Sequence, residues 1–540
     1  MKTNIFSLPL AVLFLLSAGG VAANAQNGVD FAARIGSNNY YGTARTLGMG
    51  NAVTAVGGDL GSIGINPAGS AVNNYGQVVL SPGLSIASSV SSYDNGMGVL
   101  GAAYKDSQTK FFLPNAGFAF RIKTRGTLKG ITLSFTSNAT SNYNEYFAAN
   151  GINSATSFFA NAANGASGIP ASVLGNYSSY TDSNADWALL SSYRAQMIGD
   201  YGTDGVYVAG NELLAKDGGD NAYHYVPGDL KQTAEVVRSG SKNDIVLNIG
   251  FDIDNWLYIG ANLGMPIIRY RYNETFEEKA VRPDEFPIIN EKGETENFVS
   301  ARYDYACNTS LNGVYGKIGV IARPAKWLRL GLAVQTPTAY SVTERWDNAV
   351  TSKYSVNSWS AYSPEGSYGY SFTGPWIVNA GIASTIKDRV LLSADYELTN
   401  YNSARYGEKK RSAFNDDYWA STNNEMKRSL GKAHSLRLGA EYRISPKFAV
   451  RGGYNLSTSP IKGVSPVQSG TLGFGYSSAG SFFMDLAAKL AFRPSYDYYP
   501  YLYGDYKVVD KDNLPVAAQL PMVSTKGNLC DIVLTLGWRF

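Results

Sequence analysis

The chain closes on Cys530-Asp-Ile-Val-Leu-Thr-Leu-Gly-Trp-Arg-Phe540. Cys530, Ile532, Leu534, Leu536, Trp538 and Phe540 are apolar, while Asp531, Thr535, Gly537 and Arg539 fall between them. A period of two is the mark of a strand with one greasy and one wet face. The same parity returns in Leu436, Leu438, Ala440, Tyr442 and Ile444 against Arg437, Gly439, Glu441 and Arg443. It returns again in Phe482, Met484, Leu486, Ala488, Leu490 and Phe492 against Asp485, Lys489 and Arg493. Strands of a soluble sandwich need about five or six residues; these runs reach roughly ten, enough for a tilted strand to cross a bilayer. The pattern predicts an all-β chain folded as a transmembrane antiparallel β-barrel.

The N-terminus agrees with export. Lys2 precedes the apolar stretch Leu8 to Leu16, and Ala23-Asn24-Ala25 is a cleavage site of the A-x-A kind. Residues 1–25 are therefore read as a removable signal peptide, with Gln26 as the first mature residue and no Cys nearby for a lipid anchor. No later apolar run approaches the ~18 residues of a transmembrane helix. The mean hydropathy of -0.16 hides a barrel, because its two faces average out. The 38 Tyr, 23 Phe and 8 Trp suit the aromatic belts at the two membrane interfaces. A net charge of +3 without a basic cluster makes nucleic acid a poor partner. Cys307 and Cys530 are too few for a disulfide framework.

Fourteen strand candidates follow from the alternation: 77–88, 114–123, 130–138, 244–251, 256–272, 313–322, 328–343, 376–385, 389–398, 434–443, 447–456, 470–476, 481–493 and 527–540. The connectors at 124–129, 252–255, 323–327, 386–388, 444–446 and 477–480 are short and rich in turn-forming residues. They are expected on the periplasmic side, with seven long loops outside. The longest, at about 139–243, carries helical apolar spacing in Phe147, Phe158 and Phe159 and in Trp187, Leu190, Arg194 and Met197. Residues 76–540 form the barrel domain in this reading.

Residues 26–75 do not alternate. They are rich in Gly, Ala and Asn and end in Asn66-Pro67-Ala68-Gly69. Such a segment either hangs free below the barrel or folds into the lumen as a plug. With its signal peptide, its Gly/Ala-rich stretch ending in Asn66-Pro67-Ala68, its fourteen strands and its aromatic C-terminus, the chain resembles the long-chain fatty acid transporter family of Gram-negative outer membranes, the FadL/TodX type. An arginine-bearing hairpin over 437–454 followed by Ser459-Pro460 adds to the likeness. The resemblance implies that 26–75 is a hatch inside the lumen, with Asn66, Pro67 and Ala68 as a gate beside an inward kink of the third strand. It further implies that a hydrophobic ligand enters from outside, occupies a pocket in the lumen and leaves sideways into the membrane. The large loop after the third strand departs from the family pattern.

Enzyme chemistry finds little support. His224 and His434 are the only histidines and stand near no Ser or Cys motif. Gly48-x-Gly50 lacks the strand and third glycine of a dinucleotide site, and Asp510-Lys-Asp512-Asn lacks the glycine and final Glu of a calcium loop. No catalytic residue, metal or cofactor is assigned. By strand parity Arg389, Asp395, Glu397, Arg437, Glu441, Arg443, Arg451, Asp485, Lys489 and Arg493 face the lumen. Either they pair with one another and with the plug, or some of the cations, with Arg437, Arg451 and Lys489 first, hold a ligand carboxylate. The expected partners are hydrophobic small molecules, outer-membrane lipid with lipopolysaccharide, and the barrel assembly machinery. Three functional readings stay open: passive uptake of long-chain fatty acids, uptake of neutral or aromatic hydrophobic molecules, and a surface receptor or adhesin working through the Tyr/Asn/Ser-rich loop.

Overall fold

The C-terminal run becomes the fourteenth wall strand, Met522–Arg539. Leu536 and Trp538 stand exposed on its outer face with Leu534 on the same side, and Asp531, Val533 and Thr535 are buried inside. In this computed structural model, which describes residues 28–176, 186–200, 205–216, 222–289, 293–409, 419–478, 481–501, 508–516 and 520–540, fourteen such strands close into an antiparallel ring. The signal peptide expected at 1–25 lies outside the described residues.

In chain order the first six wall strands are Gln77–Asp94, Tyr104–Lys123, Leu128–Asn142, Leu230–Ile253, Leu257–Ala280 and Thr295–Ala325. Leu328–Gln335, Trp376–Ile386, Val390–Asn400, Lys432–Arg443, Phe448–Ser457, Val467–Ser477, Phe482–Phe492 and Met522–Arg539 complete the ring. The ring closes between first and last, with Gln77 opposite Arg539 and Asp94 opposite Met522. Gly76 and Phe540 exchange backbone hydrogen bonds of 2.9 and 3.0 Å and seal the rim below that seam.

Alternation decides what faces lipid. Val78, Leu80, Leu133, Phe135, Leu247, Ile249, Ile318, Leu332, Leu438, Leu472 and Leu486 all stand exposed on the outer surface. Trp256, Trp327, Phe448 and Trp538 ring the short-turn end, the position of an interfacial aromatic belt. Two of the short turns use Asp254-Asn255 and Lys387-Asp388, each pair at positive φ (48° and 58°, 47° and 53°), the backbone of a tight two-residue hairpin. Among the described residues no helix is long and apolar enough to cross a membrane; the strands do the crossing.

Two expectations need adjustment. The seventh strand, read as continuous over 328–343, breaks at Thr336-Pro337 and resumes as Ala339–Tyr354, because proline offers no N–H to the ladder. The eighth breaks at the same level, with Gly366–Thr373 beyond Gly374-Pro375 and the Gly374 N–H donating to Thr338 O at 2.8 Å. The fourth to sixth strands run to 24, 24 and 31 residues, far beyond membrane thickness. The long connection therefore shrinks from about 139–243 to the segment between Asn142 and Leu230. Its helices Phe158–Ala166 and Trp187–Arg194 match the predicted spacing, while Phe147 lies in the strand Glu145–Asn153, paired with the fourth strand.

Residues 28–75 fill the lumen. The helices Gly28–Gly36 and Ala44–Gly48 and the 3-10 turns Leu60–Ser62 and Pro67–Val72 are almost wholly buried, with Ala44, Leu47, Ala52, Ala55, Leu60, Ile63 and Ile65 fully inaccessible.

Candidate functional site

Asn66 begins the turn Pro67–Val72 as its cap: Oδ1 accepts from Ala68 N–H at 3.1 Å, and Pro67 loses nothing at a first position whose N–H has no helical partner. The Asn66 amide then donates to Thr54 O at 2.7 Å and to Val320 O of the sixth strand at 3.1 Å. Asn248 of the fourth strand donates to Pro67 O at 3.0 Å. Glycine is required where the wall meets this turn, since a Cβ at Gly319 would strike Asn66 Oδ1 and one at Gly260 the Pro67 carbonyl. The triplet Asn66-Pro67-Ala68 is thus bonded to strands four and six and packs on strand five, while its turn Pro67–Val72 also lies next to the third strand. Gly260 and Gly319 on strands five and six leave the room that the turn needs.

A different part of the plug hydrogen-bonds the backbone of the third strand. The ladder between strands two and three ends at Asn115 opposite Asn138, although strand two stays paired with strand one up to Tyr104 opposite Ser91. Beyond Asn138 the third strand leans inward, and its residues 138–142 are all buried. There the plug replaces the neighbour: Tyr41 N–H donates to Ala139 O at 3.0 Å and Asn39 N–H to Thr140 O at 2.7 Å. Asn144 crosses behind the break, its amide reaching Ser85 O (3.4 Å) and Gln108 O (3.2 Å). Gln108 Oε1, Asn115 Oδ1, Asn142 Nδ2 and Asn144 Oδ1 are buried there without a hydrogen-bond partner among the described residues. Buried polar atoms are normally satisfied, so this interruption of the ladder between strands two and three is polar and under-bonded.

At the plug's other end lies an aromatic chamber. Inward positions of successive strands supply Tyr270, Tyr272 and Phe276, then Tyr305, Tyr340, Trp346, Tyr370 and Phe372, joined by Tyr143, Tyr401, Tyr406 and Trp419. The helix Gly28–Gly36 occupies it with Val29, Phe31, Ala32 and Ile35. Phe31 meets Tyr270 edge-on at 6.5 Å, and the hydroxyls of Tyr401 and Tyr406 hold the carbonyls of Ala33 and Gly28 at 3.1 and 2.6 Å.

Between chamber and plug runs a polar floor. Tyr40 and Tyr41 lie at its centre, and burial pushes both phenols well above their ordinary value. Arg437 is paired with Glu397 at 2.7 Å and lies 4.9 Å over the Tyr40 ring. Arg451 bridges Glu441 (2.8 Å) and Asp485 (2.6 Å) on the plug's far side, where Arg45 also holds Glu441 at 3.0 Å. Lys489 lies 5.3 Å over the Tyr41 ring, on the strand position opposite Asp531. The three cations picked from sequence therefore separate: two are engaged by carboxylates, and only Lys489 has no carboxylate oxygen within 4.0 Å among the described residues. Of the other charges expected inside, Asp395, Glu397, Glu441 and Asp485 are buried. Arg389 and Arg443 are exposed at the short-turn rim because they stand at strand ends, and Arg493 is half-buried, donating to Asn144 O at 3.4 Å.

Two floor residues escaped the sequence reading. Lys242 donates to Ile35 O (3.2 Å) and Asn38 Oδ1 (2.8 Å), and Lys317 to Gly64 O at 2.8 Å. Both are buried and hold plug carbonyls rather than carboxylates. Lys317 follows the alternation of its strand and was legible. Lys242 follows Ser239-Gly240-Ser241, which reads as a turn and concealed the start of strand four.

No protein-family model and no curated protein sequence matches the chain. Among solved structures it is similar to a FadL homologue of Pseudomonas aeruginosa, at 12% identity over 93% of this chain and 99% of that one, with a TM-score of 0.49. It is also similar to the toluene transporter TodX of P. putida (9% identity, 93% and 99% covered, TM-score 0.45) and to the toluene transporter TbuX of Ralstonia pickettii (13%, 93% and 99%, 0.43). The likeness to these FadL- and TodX-type barrels is one of fold, along nearly the whole of both chains.

Proposed function

We propose that this protein is an outer-membrane channel for passive uptake of hydrophobic compounds, long-chain fatty acids among them, with sideways exit at the third strand. One observation supports the reading: beyond Asn138 the third strand has no ladder with the second, and Tyr41 and Asn39 of the plug and the amide of Asn144 bond there instead, beside the aromatic chamber. A hydrophobic tail gains about 0.8 kcal/mol per buried CH₂, so displacing the Gly28–Gly36 helix from the chamber needs no external energy source. Lys242, Lys317 and Lys489 at the floor are the cations placed to meet a carboxylate head, a role that Arg437 and Arg451 cannot take while their carboxylates hold them. Residues 1–25 serve export, the cap between Asn142 and Leu230 faces outside, and lipopolysaccharide and the assembly machinery are the surroundings of such a barrel.

The wealth of tyrosine and phenylalanine in the chamber favours a second reading, uptake of neutral aromatic molecules. Uptake of labelled oleate and labelled toluene by cells carrying the K242M/K317M variant separates the two. A roughly tenfold loss for oleate alone, the scale of one charge-assisted hydrogen bond, supports the carboxylate role. Unchanged uptake of both favours the neutral ligand. If wild-type cells take up neither faster than cells lacking the protein, the channel reading fails and the surface-receptor alternative stands.

A further inference from the structure

At the short-turn end the plug leaves space. A cavity of about 570 Å³ lies between plug loops 56–59 and 72–75 and the ends of the wall strands. Nine Lys and Arg residues line it against four carboxylates, so its lining is strongly positive although the whole chain is near neutral. Glu441 and Asp485 are engaged by Arg45, Arg443 and Arg451. Asp59 accepts from the Thr43 hydroxyl at 2.7 Å and from Gly61 N–H at 2.8 Å. That leaves Asp388 facing Arg323, Lys326, Arg329, Arg389, Lys447 and Arg539. None of these six has a carboxylate oxygen within 4.0 Å among the described residues.

Neutral groups, rather than counter-charge, hold these cations in place. Arg329 Nη1 donates to the plug carbonyl of Val56 at 2.7 Å, Arg323 Nη2 to Lys326 O at 3.1 Å, and Arg539 Nη1 to Ser477 Oγ at 3.0 Å, with its guanidinium 4.5 Å over the Phe483 ring. The Nε atoms of Arg323 and Arg539 are buried with no acceptor. Cations gathered in a concave, partly desolvated space repel one another and attract any anion that fits. The volume is that of a small-molecule site, too small for a folded partner. Arg45, Asp59, Glu441 and Asp485 are lumen residues, so the occupant arrives along the barrel axis and not from the lipid face.

We propose that this vestibule binds a small, soluble, multiply charged oxyanion, of phosphate or carboxylate chemistry, bridging the plug to the wall. This goes beyond the uptake reading and does not depend on it, because the site lies on the opposite side of the plug from the aromatic chamber. Calorimetric titration of the purified full-length protein with pyrophosphate and, separately, with citrate at fixed ionic strength tests it. Saturable binding of either anion is expected, and which of them binds identifies the source. R389Q and K447Q, both exposed rim positions where folding is not at stake, should each weaken it about tenfold, the scale of one charge-assisted hydrogen bond. R302Q, whose partner is Asp304 at 2.7 Å on a different part of the wall, should leave it unchanged. The bound anion should also raise the thermal midpoint of wild type but not of an R389Q/K447Q double variant. No saturable binding of either anion, or equal weakening by R302Q, overturns the proposal.

Discussion

The plug touches the wall in two ways, and the contrast is between a complete sheet and an interrupted one. Along strands four to six, Asn66 and Pro67 lie in grooves made by Gly260 and Gly319, held by side-chain bonds to wall and plug carbonyls, while every wall strand on that side keeps both neighbours. Along strand three, Asn39 and Tyr41 lend two backbone N–H groups to a strand that has lost its neighbour. The first contact adds to a complete sheet; the second substitutes for a missing part of one. A β-ladder is cooperative along its length, whereas two isolated bonds are worth about 0.5–1.5 kcal/mol each, so the second contact is where the structure should yield first.

The largest effect should come from a contact that, like the first, belongs to an uninterrupted sheet: the charge network of strands ten, eleven and thirteen. R451A removes the group that Glu441 and Asp485 share, leaving buried carboxylates short of a partner. Losing one member of a buried ion pair costs about 3–5 kcal/mol. Arg45 and Arg443 still serve Glu441, so a loss near the lower figure is expected, read as a fall in the denaturant midpoint of the barrel in detergent. K489M is the control on the same strand as Asp485: Lys489 has no carboxylate oxygen within 4.0 Å among the described residues, so its removal breaks no ion pair and should lower the midpoint less than R451A does. Equal losses in the two variants would mean that the Arg451 ion pairs add nothing to the stability of this part of the sheet.

G319V comes next. The new side chain meets Asn66 and Pro67, and overpacking of this kind costs about 1–3 kcal/mol. Because the barrel wall itself does not need the plug's turn to pair, the plug should be displaced before the wall opens. Limited trypsin digestion should then cut at Arg34 or Arg45, which are protected in the wild-type lumen. A variant whose wall melts while the plug stays protected would mean that the turn and strands four to six form one unit.

This division was only partly legible beforehand. Strand number, facing and rim position were readable because each depends on a local period: Leu534, Leu536 and Trp538 point outward for the same reason that Asp531 and Thr535 point inward. That residues 28–75 stand outside the wall followed from their failure to alternate, while their place in the lumen came from the family resemblance. Which strand each plug residue touches was not readable, since these contacts follow no repeat in sequence: Asn39 bonds strand three, and Asn66 bonds strand six, three strands along the ring. The resemblance set Asn66-Pro67-Ala68 beside the third strand; the plug residues whose N–H groups bond that strand's backbone are Asn39 and Tyr41. Cations split in the same way. Parity placed Arg437 and Arg451 in the lumen, but only three-dimensional pairing revealed that carboxylates already engage them and that Lys242 and Lys317 hold carbonyls instead.

The smallest stability effect belongs to the edge of the interruption and carries the most information about transport. Asn115 donates to Asn138 Oδ1 at 2.6 Å, the side-chain clasp at the last paired position of strands two and three. N115A removes one hydrogen bond, about 1 kcal/mol, too little to unfold a fourteen-stranded ring. Amide exchange at Thr136 and Ser137 should nevertheless accelerate, because the ladder can now fray downward from the break, while exchange along the closing seam of Gln77 to Leu80 with Leu536 to Arg539 stays slow. If hydrophobic ligands leave through this break, lengthening it should raise the rate of labelled-oleate or toluene uptake at equal surface expression. A rate that stays constant while exchange accelerates would mean that the interruption is structural and that the ligand takes another way out. A rate that falls together with stability would mean that transport depends on the intact wall, and lateral exit would then be wrong.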